Sequence, residues 1–558
     1  MFIALALSMS FALPQEGGST EIPPVLCFAE GTTEAYMHDM QDAFGPVPEF
    51  NLGNRWSGGQ GNPRVITWSL VPDGLFITST GLNSELFSRM NGIYGSPAPW
   101  IERVQQSFDR WEEITGIDFV RRTSGGNEWD DGASWGSSGN NNRGDIRIAM
   151  TNIDGGGGPN GNTLAFASFP GGGTGGNIVI DRTEGWGSSA NQNRFFRNVV
   201  MHELGHAIGI QHVCSNTSSQ LMEPALITSI DGPRQDDIRA GQRHYGDPFE
   251  GDNSAGTATD IGTLEDFLSF GILPPPQAGG NDGVSAWLSI DANGEEDYFR
   301  FTVEDTVLLD ATLIPVGSTY QNEAQAGNGS CPSGGNSTNG QAVKNLAMQI
   351  IDTNGTTVID TADNQAAGVN ETLVAVPLNA PGDYFVRIYD DGGANSSQLY
   401  RFELTAFSTA ATFCDQTDGS LSSCPCGNVG DPISGCDIAQ GTGGVSVNVI
   451  AQETIPQNRV TLRAGGFPAS TQPSAVVIRA SALESSGVVF GDGVRCVGVP
   501  LVRLGATAAF LGFADHTFGH GAGAGSGDFY YQVWFRNTPG SFCTPDAFNL
   551  SNGRVLTW

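Results

Sequence analysis

The sequence predicts a multidomain protein in which an α/β (α+β) domain is followed by a β-sandwich and a further β-rich domain. The chain has 558 residues, enough for about three or four domains. Helical periodicity is confined to the stretch before residue 248, and alternating β patterns follow it. Polar stretches with Gly and Pro near residues 43–62, 246–256 and 408–445 mark the boundaries.

The first folded domain, residues 54–248, is predicted to combine strands and helices around one core. Residues 100–111 place Trp100, Val104, Phe108 and Trp111 at helical spacing, which gives one apolar stripe. A second helix is expected to begin near Asn193. β-branched and aromatic residues predict strands at 65–71, 145–150 and 177–181. Strands and helices that share one core make an α/β or α+β domain.

Residues 249–407 show short β runs separated by turns, for example at 297–303 and 383–389, which is typical of a β-sandwich. Residues 408–445 are predicted to be a Cys-containing linker. Residues 446–558 are rich in Gly and strand-like up to the run at 529–535, so a β-rich C-terminal domain is expected.

The formal net charge is −33, and no segment has an excess of Lys and Arg. Nucleic acid and anionic lipid surfaces are therefore disfavoured as partners, because both require clustered basic residues. The acidity is concentrated in residues 249–413, which hold 22 acidic and 4 basic residues. It is thus a property of an accessory domain and gives no reason to expect a cationic substrate.

Residues 1–13 form a short apolar run followed by Pro14, the pattern of a secretory signal peptide. The usual basic residues before that run are missing, since the first Arg is Arg55. The alternative is an apolar N-terminus that belongs to a folded domain. No later stretch reaches 18 consecutive apolar residues, so we expect a secreted protein without a membrane span.

Six of the nine cysteines lie in the last 145 residues. Cys424 and Cys426, followed by Cys436, indicate a local staple, and one close pair is too few for a zinc ribbon. Disulfides in an oxidising compartment are the better interpretation. The odd number leaves at least one thiol unpaired within the chain.

The residues that indicate chemistry lie at 202–212. His202 and His206 are four residues apart, so a helix projects both imidazoles from one face towards one ion. Gly209 allows the backbone to leave the helix through a left-handed turn, which returns His212 as a third ligand. Glu203 is predicted to lie beside the ion and to act as general base on a water that the metal activates.

The short motif of two histidines and a glutamate is weak alone, and buried histidines with a structural role are the alternative. Three of the seven histidines at this spacing, with Glu203 and Gly209 in place, favour a metal site. Calcium prefers oxygen ligands, so zinc is the expected ion.

This motif, with Met222 ten residues after His212, resembles the metzincin metalloproteases and most of all the matrixins. Residues 235–246 are similar to the C-terminal matrixin helix with its closing Tyr-Gly, and residues 164–186 to the edge strand and calcium loop. The resemblance covers about residues 54–248. It implies a zinc-dependent endopeptidase, expected to be monomeric, with a polypeptide substrate. Met222 would form a floor under the histidines, and an extended peptide would add to an edge strand made of Leu164, Ala165, Phe166 and Ala167.

Two departures from the matrixin pattern concern metals. The family's structural zinc needs histidines upstream of the catalytic helix, but none occurs between His38 and His202, and the expected positions hold Phe166 and Val179. We therefore expect apolar packing there instead of a second zinc. Calcium ligands are implied at Asp154, Asp181 and Glu184. Ordinary exposed loop carboxylates are the alternative.

Latency is the remaining question for this domain. Matrixins often carry a propeptide whose cysteine occupies the catalytic zinc. Residues 14–53 form a pro-like segment that is short for such a domain, and Cys27 lacks the usual surrounding motif. Cys27 is therefore either a zinc-blocking residue or the partner of Cys214 in a disulfide.

Residues 247–407 contain short motifs at 253–254, 260–262, 297–299 and 382–388. With these motifs the stretch resembles the pre-peptidase C-terminal domain, a β-sandwich appended to secreted bacterial peptidases, which favours bacterial-type export. His516 and His520 lie in a Gly-rich stretch and are interpreted as incidental because a third ligand is missing. The rival function is an extracellular binding or surface protein that retains a protease fold without turnover.

Overall fold

A computed structural model describes most of the chain between residues 25 and 557. The ranges outside the described part are 1–24, 31, 34–36, 38–51, 155–162, 216–218, 265–266, 272–287, 305, 327–329, 333–336, 409–411, 416–423, 426, 454–458, 469–471, 511, 520–526, 537–546 and 558. The predicted signal peptide and most of the pro-like segment fall there. The described residues form two compact units. The first takes residues up to Pro248 together with 320–338, and the second takes the rest.

The first unit is built on a six-stranded sheet in the order β1-β7-β8-β6-β2-β5, in which β8, β6, β2 and β5 run parallel and β7 runs antiparallel to both neighbours. The strands of the first unit up to residue 248 are β1 (Val25–Phe28), β2 (Arg64–Leu70), β3 (Phe76–Ile77), β4 (Leu82–Asn83), β5 (Ile117–Arg121), β6 (Ile146–Thr151), β7 (Thr163–Ala167), β8 (Ile178–Asp181) and β9 (Val213–Cys214). Of these, β3 and β4 pair with each other, and β9 lies outside the six-stranded sheet. Its helices are α1 (Leu86–Tyr94), α2 (Pro97–Glu112), α3 (Arg194–Ala207) and α4 (Gln235–Tyr245).

The next part of the chain is a sandwich of two sheets, β10-β13-β21-β18-β19 and β11-β22-β14-β20, with β12 beside β22. Their inward-facing apolar side chains form one core cluster. The strands of this stretch are β10 (Thr259–Thr263), β11 (Phe267–Phe270), β12 (Leu288–Ile290), β13 (Glu296–Val303), β14 (Val307–Pro315), β15 (Thr319–Gln321), β16 (Glu323–Ala324), β17 (Ser337–Asn339), β18 (Lys344–Ile351), β19 (Val358–Ala362), β20 (Glu371–Leu378), β21 (Gly382–Gly393) and β22 (Gln398–Ser408). Of these, β15 pairs with β17 and β16 with β9, outside the two sheets of the sandwich.

The C-terminal part is also β-rich, with sheets β23-β32-β31-β26-β29 and β24-β25-β30 around a separate core cluster. Cys424 and Cys436 are disulfide-bonded, as the predicted local staple requires, and Cys414 pairs with Cys496. The strands are β23 (Thr412–Phe413), β24 (Ser446–Glu453), β25 (Arg459–Gly465), β26 (Ser474–Ala480), β27 (Leu483–Phe490), β28 (Gly493–Val497), β29 (Val502–Ala508), β30 (Phe513–Gly519), β31 (Asp528–Arg536) and β32 (Phe548–Thr557). Within the described ranges, no helix is both long and apolar enough to cross a bilayer.

The apolar stripe on α2 packs where its spacing predicts. Trp100, Val104, Phe108 and Trp111 are each at most 1% exposed. The Trp111 indole N–H donates to a carbonyl of α3 at 3.0 Å, so α2 fixes the helix that carries the first two histidines. Burying large aromatic side chains contributes about 1.5–3 kcal/mol each.

On the other side of the sheet, Phe166 and Val179 lie in one apolar cluster with Leu26, Phe28 and neighbouring core residues, and both are at most 2% exposed. Two hydrophobic side chains that pack in this way provide no metal ligand. This arrangement agrees with the expected replacement of the second zinc by apolar packing.

The prediction that Leu164 to Ala167 form an edge strand needs correction. These residues lie in β7, but β1 pairs antiparallel with β7, with Leu26 opposite Phe166 and Cys27 opposite Ala165. The edge of the sheet is therefore β1. Sequence reasoning missed this because four residues of β1 bear no local sign of a partner 140 residues away.

The segment 320–338 is a second difference. Its sequence position lies inside the predicted sandwich, yet it belongs to the first unit. Within it, β16 pairs antiparallel with β9, and Cys331 forms a disulfide with Cys214. The alternative of a Cys27–Cys214 disulfide is therefore wrong, and Cys27 is a free, buried thiol.

Candidate metal centre and substrate cleft

Three imidazole rings converge at the end of α3. His202 and His206 lie on one face of the helix, and Gly209, with φ +102°, turns the chain so that His212 returns to them. A side chain at Gly209 would also collide with a carbonyl, since its Cβ would lie 2.3 Å from the Asn54 oxygen. The three Nε2 atoms are 3.0–3.2 Å apart, and the residues are at most 4% exposed.

The other ring nitrogens fix the protonation pattern of these histidines. His202 Nδ1 donates to the Leu221 carbonyl at 2.8 Å, and His206 Nδ1 donates to the Ile210 carbonyl at 2.7 Å. His212 Nδ1 lies 2.8 Å from Gln325 Oε1, an acceptor as well. With each proton on Nδ1, all three Nε2 lone pairs point at one place.

Burial keeps these rings neutral. Desolvation lowers the pKa of His202 to about 4 and that of His212 to about 3, and it places the pKa of His206 well below its usual value. Neutral imidazole is the form that binds metal. The donor set is thus ready for a cation at neutral pH.

This donor set fits zinc. Three nitrogens about 2.1 Å from one tetrahedral ion are about 3.4 Å apart, close to the spacing found here. Three imidazoles with a fourth position open to water are a common catalytic zinc set, whereas calcium prefers oxygen. His202, His206 and His212 would hold the ion.

Glu203 lies on α3 next to the first histidine and is fully buried. Neither of its carboxylate oxygens has a hydrogen-bond partner among the described residues. Burial raises the pKa of this carboxyl well above its usual value, and the thiol of Cys27 opposes the shift. A fully buried carboxyl with a raised pKa, beside a candidate metal site, is typical of a general base.

Cys27, which lies in β1, is close to both His202 and Glu203. Its Sγ lies within 4.8 Å of a His202 ring nitrogen and of a Glu203 carboxylate oxygen. Burial raises the pKa of the thiol, and the Glu203 charge raises it further. The strand therefore places a soft metal ligand against the candidate centre.

β1 also lies between β7 and residues 224–226 and is hydrogen-bonded to both. The Phe28 N–H donates to the Pro224 carbonyl at 3.2 Å, and the Leu226 N–H donates to the Phe28 carbonyl at 2.8 Å. Phe28 thus bridges in parallel to Ala225 while β1 runs antiparallel to β7. An extended peptide held by main-chain bonds on both sides is how a substrate binds by strand addition.

Met222 packs beneath the histidine helix, as the resemblance implies. It is fully buried, and a Cβ at Gly205 would lie 2.4 Å from its sulfur, so glycine at that position permits the close approach. A side chain at Gly205 would push the turn away from the helix, because packed interiors leave no room for an added methyl group.

Sequence reasoning missed the role of Asp237, which holds this turn. Its carboxylate accepts the N–H groups of Leu221 at 2.7 Å, Met222 at 3.1 Å and Arg234 at 2.7 Å. Burial raises the pKa of Asp237 to about 7, and these backbone donors oppose the rise. Since the Leu221 carbonyl accepts the proton of His202, Asp237 supports that ligand through one residue.

The three expected calcium ligands lie near one another but are differently engaged. Asp181 accepts N–H groups of Ile153 and Thr183, and Asp154 accepts that of Thr163. Burial raises the pKa of Glu184, and the charges of the two aspartates raise it further. In the described part of the chain these carboxylates do not form a compact ligand set, so calcium stays a prediction.

Comparison with known proteins agrees with this geometry. Residues 96–246 match the family described as Matrixin. That stretch is matrixin-like. Macrophage metalloelastase of Oryctolagus cuniculus is 31% identical over 156 residues, which cover 26% of this chain and 28% of that protein. Stromelysin-1 of Rattus norvegicus shows the same identity and coverage. Interstitial collagenase of Bos taurus is 31% identical over 192 residues, 33% of this chain and 36% of that protein.

The matches leave the other regions uncharacterised. The chain spans only about a third of the length of these relatives. Among solved structures, the glycoside hydrolase domain of Endo-D from Streptococcus pneumoniae R6 covers 53% of this chain at 11% identity, with 36% of that domain covered and a TM-score of 0.15. A score that low carries no argument about the fold. The resemblance of residues 247–407 to a pre-peptidase C-terminal domain stays a prediction.

Proposed function

We propose that this protein is a secreted zinc-dependent endopeptidase in which Glu203 is the general base. The observation that carries the proposal is the convergence of three neutral Nε2 donors on one point, with the buried Glu203 carboxylate beside it. The matrixin match at residues 96–246 supports the same reaction class.

His202, His206 and His212 would hold a zinc ion, which when bound would supply Lewis acidity to activate a water molecule and polarise the scissile carbonyl. Glu203 accepts the proton of the attacking water and later donates it to the leaving amine. Burial raises the pKa of Glu203, which makes this carboxylate a stronger base than an exposed one. β7 and residues 224–226 hold the peptide extended by main-chain hydrogen bonds.

The test compares hydrolysis of casein or gelatin by wild type, Glu203→Gln and a matched control, Glu128→Gln. Glu128 lies in the same unit, with its side chain 51% exposed in an ion pair with Arg121. Loss of a general base lowers kcat by about 10²–10⁴-fold. We expect that loss for Glu203→Gln, a similar loss with a zinc chelator, and none for the control. Equal activity of Glu203→Gln and wild type would exclude the mechanism, and inactivity of every form even after β1 has been released would favour the rival binding or surface protein.

We further propose that β1 keeps the site closed and that Cys27 caps the metal. The support is the position of β1 between β7 and residues 224–226, with Sγ facing His202 and Glu203. A substrate can add to β7 only after β1 leaves, because both would use the same backbone donors and acceptors.

This closure is tested by inserting a processing-protease sequence between residues 38 and 51 and cleaving the folded protein. We expect at least a tenfold gain in peptide hydrolysis on cleavage, and a higher basal rate in uncut Cys27→Ala. The same insertion with a scrambled recognition sequence is the control. If the uncut chain hydrolyses peptide as fast as the cut chain, β1 does not close the site.

A further inference from the structure

The three histidines differ in the group that accepts the hydrogen bond from their Nδ1–H. For His202 and His206 the acceptor is a backbone carbonyl, which no substitution removes. For His212 it is the side-chain oxygen of Gln325, 113 residues further along the chain, at 2.8 Å. His212 also lies beyond the end of α3, so the helix does not orient its ring. Its orientation therefore depends more on its hydrogen-bond partner.

Strand pairing brings Gln325 to this position. In the β16–β9 pair, Glu323 lies opposite Cys214 and Ala324 opposite Val213. The next step of that antiparallel register places Gln325 beside His212. Local strand pairing therefore determines which side chain meets the ring.

Further contacts fix the segment 320–338 to the first unit. The Cys214–Cys331 disulfide ties the segment covalently to β9, of which Cys214 is the second residue. At its start, Tyr320 donates to Asp236 at 2.6 Å and accepts from Arg239, both on α4. Tyr320 is 7% exposed, so this contact is largely shielded from water. Gln325 is thus carried by a fixed segment.

We propose that Gln325 is a positioning residue for the third metal ligand, supplied by a segment that the sequence places within the sandwich. It accepts the Nδ1 proton of His212, which fixes the tautomer and the ring plane so that Nε2 faces the other two donors. The identification of the ion as zinc rests on the proposed function. Partners of this kind commonly change metal affinity or activity by about 10–100-fold.

Zinc affinity measures this role without reference to turnover. Full-length wild type, Gln325→Met and Gln325→Glu are stripped of metal and titrated with zinc against a chromophoric chelator. Methionine keeps the bulk of the side chain and removes the acceptor, so we expect Kd to rise about 10–100-fold. Glutamate keeps an acceptor oxygen, so its Kd should stay within about threefold of wild type. Gln106→Met, on the surface of α2, is the matched control.

The outcomes separate this inference from the proposed function. A Gln325→Met protein that binds zinc as tightly as wild type overturns the positioning role, as does equal weakening in Gln325→Met and Gln325→Glu. Thermal melting of the metal-free proteins detects a folding defect, which would lower the melting temperature of both variants. If wild type binds zinc tightly and hydrolyses no peptide, the proposed function fails while the role of Gln325 stands.

Discussion

The two ligands on α3 and the third ligand beyond it are supported in different ways. His202 and His206 belong to one helix that is buried against α2, and their ring protons go to carbonyls of nearby loops. His212 belongs to a loop, and its ring proton goes to a segment more than a hundred residues away. One centre therefore combines ligands fixed by local structure with a ligand fixed by long-range pairing. Changes in the segment 320–338 should therefore affect only the latter.

Removing a ligand should have the largest effect and should not distinguish the two kinds of support. We expect His206→Ala and His212→Ala to lose stoichiometric zinc at micromolar concentration and to lower peptide hydrolysis at least about 10³-fold, because each leaves only two of the three histidine donors. Zinc content by atomic absorption and kcat/KM are the measurements. His516→Ala, a change to a buried histidine in β30, is the control and should keep both. Tight zinc binding by either ligand variant would contradict the three-histidine centre.

Removing the Cys214–Cys331 disulfide should reveal the difference between the two regions. The double variant Cys214→Ser/Cys331→Ser should lose about 2–4 kcal/mol of unfolding free energy, because it frees a long loop in the unfolded chain. It should also weaken zinc binding, since the segment that carries Gln325 is no longer tied to β9.

The matched control is Cys424→Ser/Cys436→Ser in the C-terminal part. That change should leave zinc affinity unaltered, whatever it does to stability. Denaturant unfolding and chelator competition give the two readouts. Equal zinc affinity in the two double variants would show that the segment holds His212 without the disulfide.

This division also explains what the sequence could predict. The helix at residues 100–111, the helix that begins near Asn193 and the convergence of His202, His206 and His212 follow from spacing within a dozen residues, where helix geometry decides side-chain direction. The helix α1 was not predicted. The pairing of β1 with β7 and the contact of Gln325 with His212 depend on register between distant segments. Nothing local specifies such a register, because short strands of two to four residues show almost no pattern.

Asp237 offers a change confined to the helix-borne ligands. Its carboxylate accepts three backbone N–H groups at the Met222 turn and at the start of α4. Asp237→Ala leaves these donors without an acceptor in a buried place, so we expect a loss of about 2–4 kcal/mol in unfolding free energy. Zinc affinity should fall through Leu221 and His202. Asp515→Ala, on an exposed ion pair in the C-terminal part, should cost less than about 1 kcal/mol and leave zinc unchanged.

Tyr320→Phe should give the smallest effect. It tests how the start of the segment 320–338, rather than the disulfide near its end, contributes to zinc binding. The change removes one hydroxyl that bridges Asp236 and Arg239 and keeps the buried ring. A hydrogen bond to a charged group contributes about 1.5–3 kcal/mol, and part of this is recovered because Asp236 and Arg239 remain near each other. We therefore expect about 1 kcal/mol of lost stability and a rise in zinc Kd smaller than that of Gln325→Met.

Tyr298→Phe, in β13 of the sandwich, controls for removal of a tyrosine hydroxyl. If Tyr320→Phe weakened zinc binding more than Gln325→Met, the docking of the segment as a whole, rather than the acceptor at His212, would govern the third ligand.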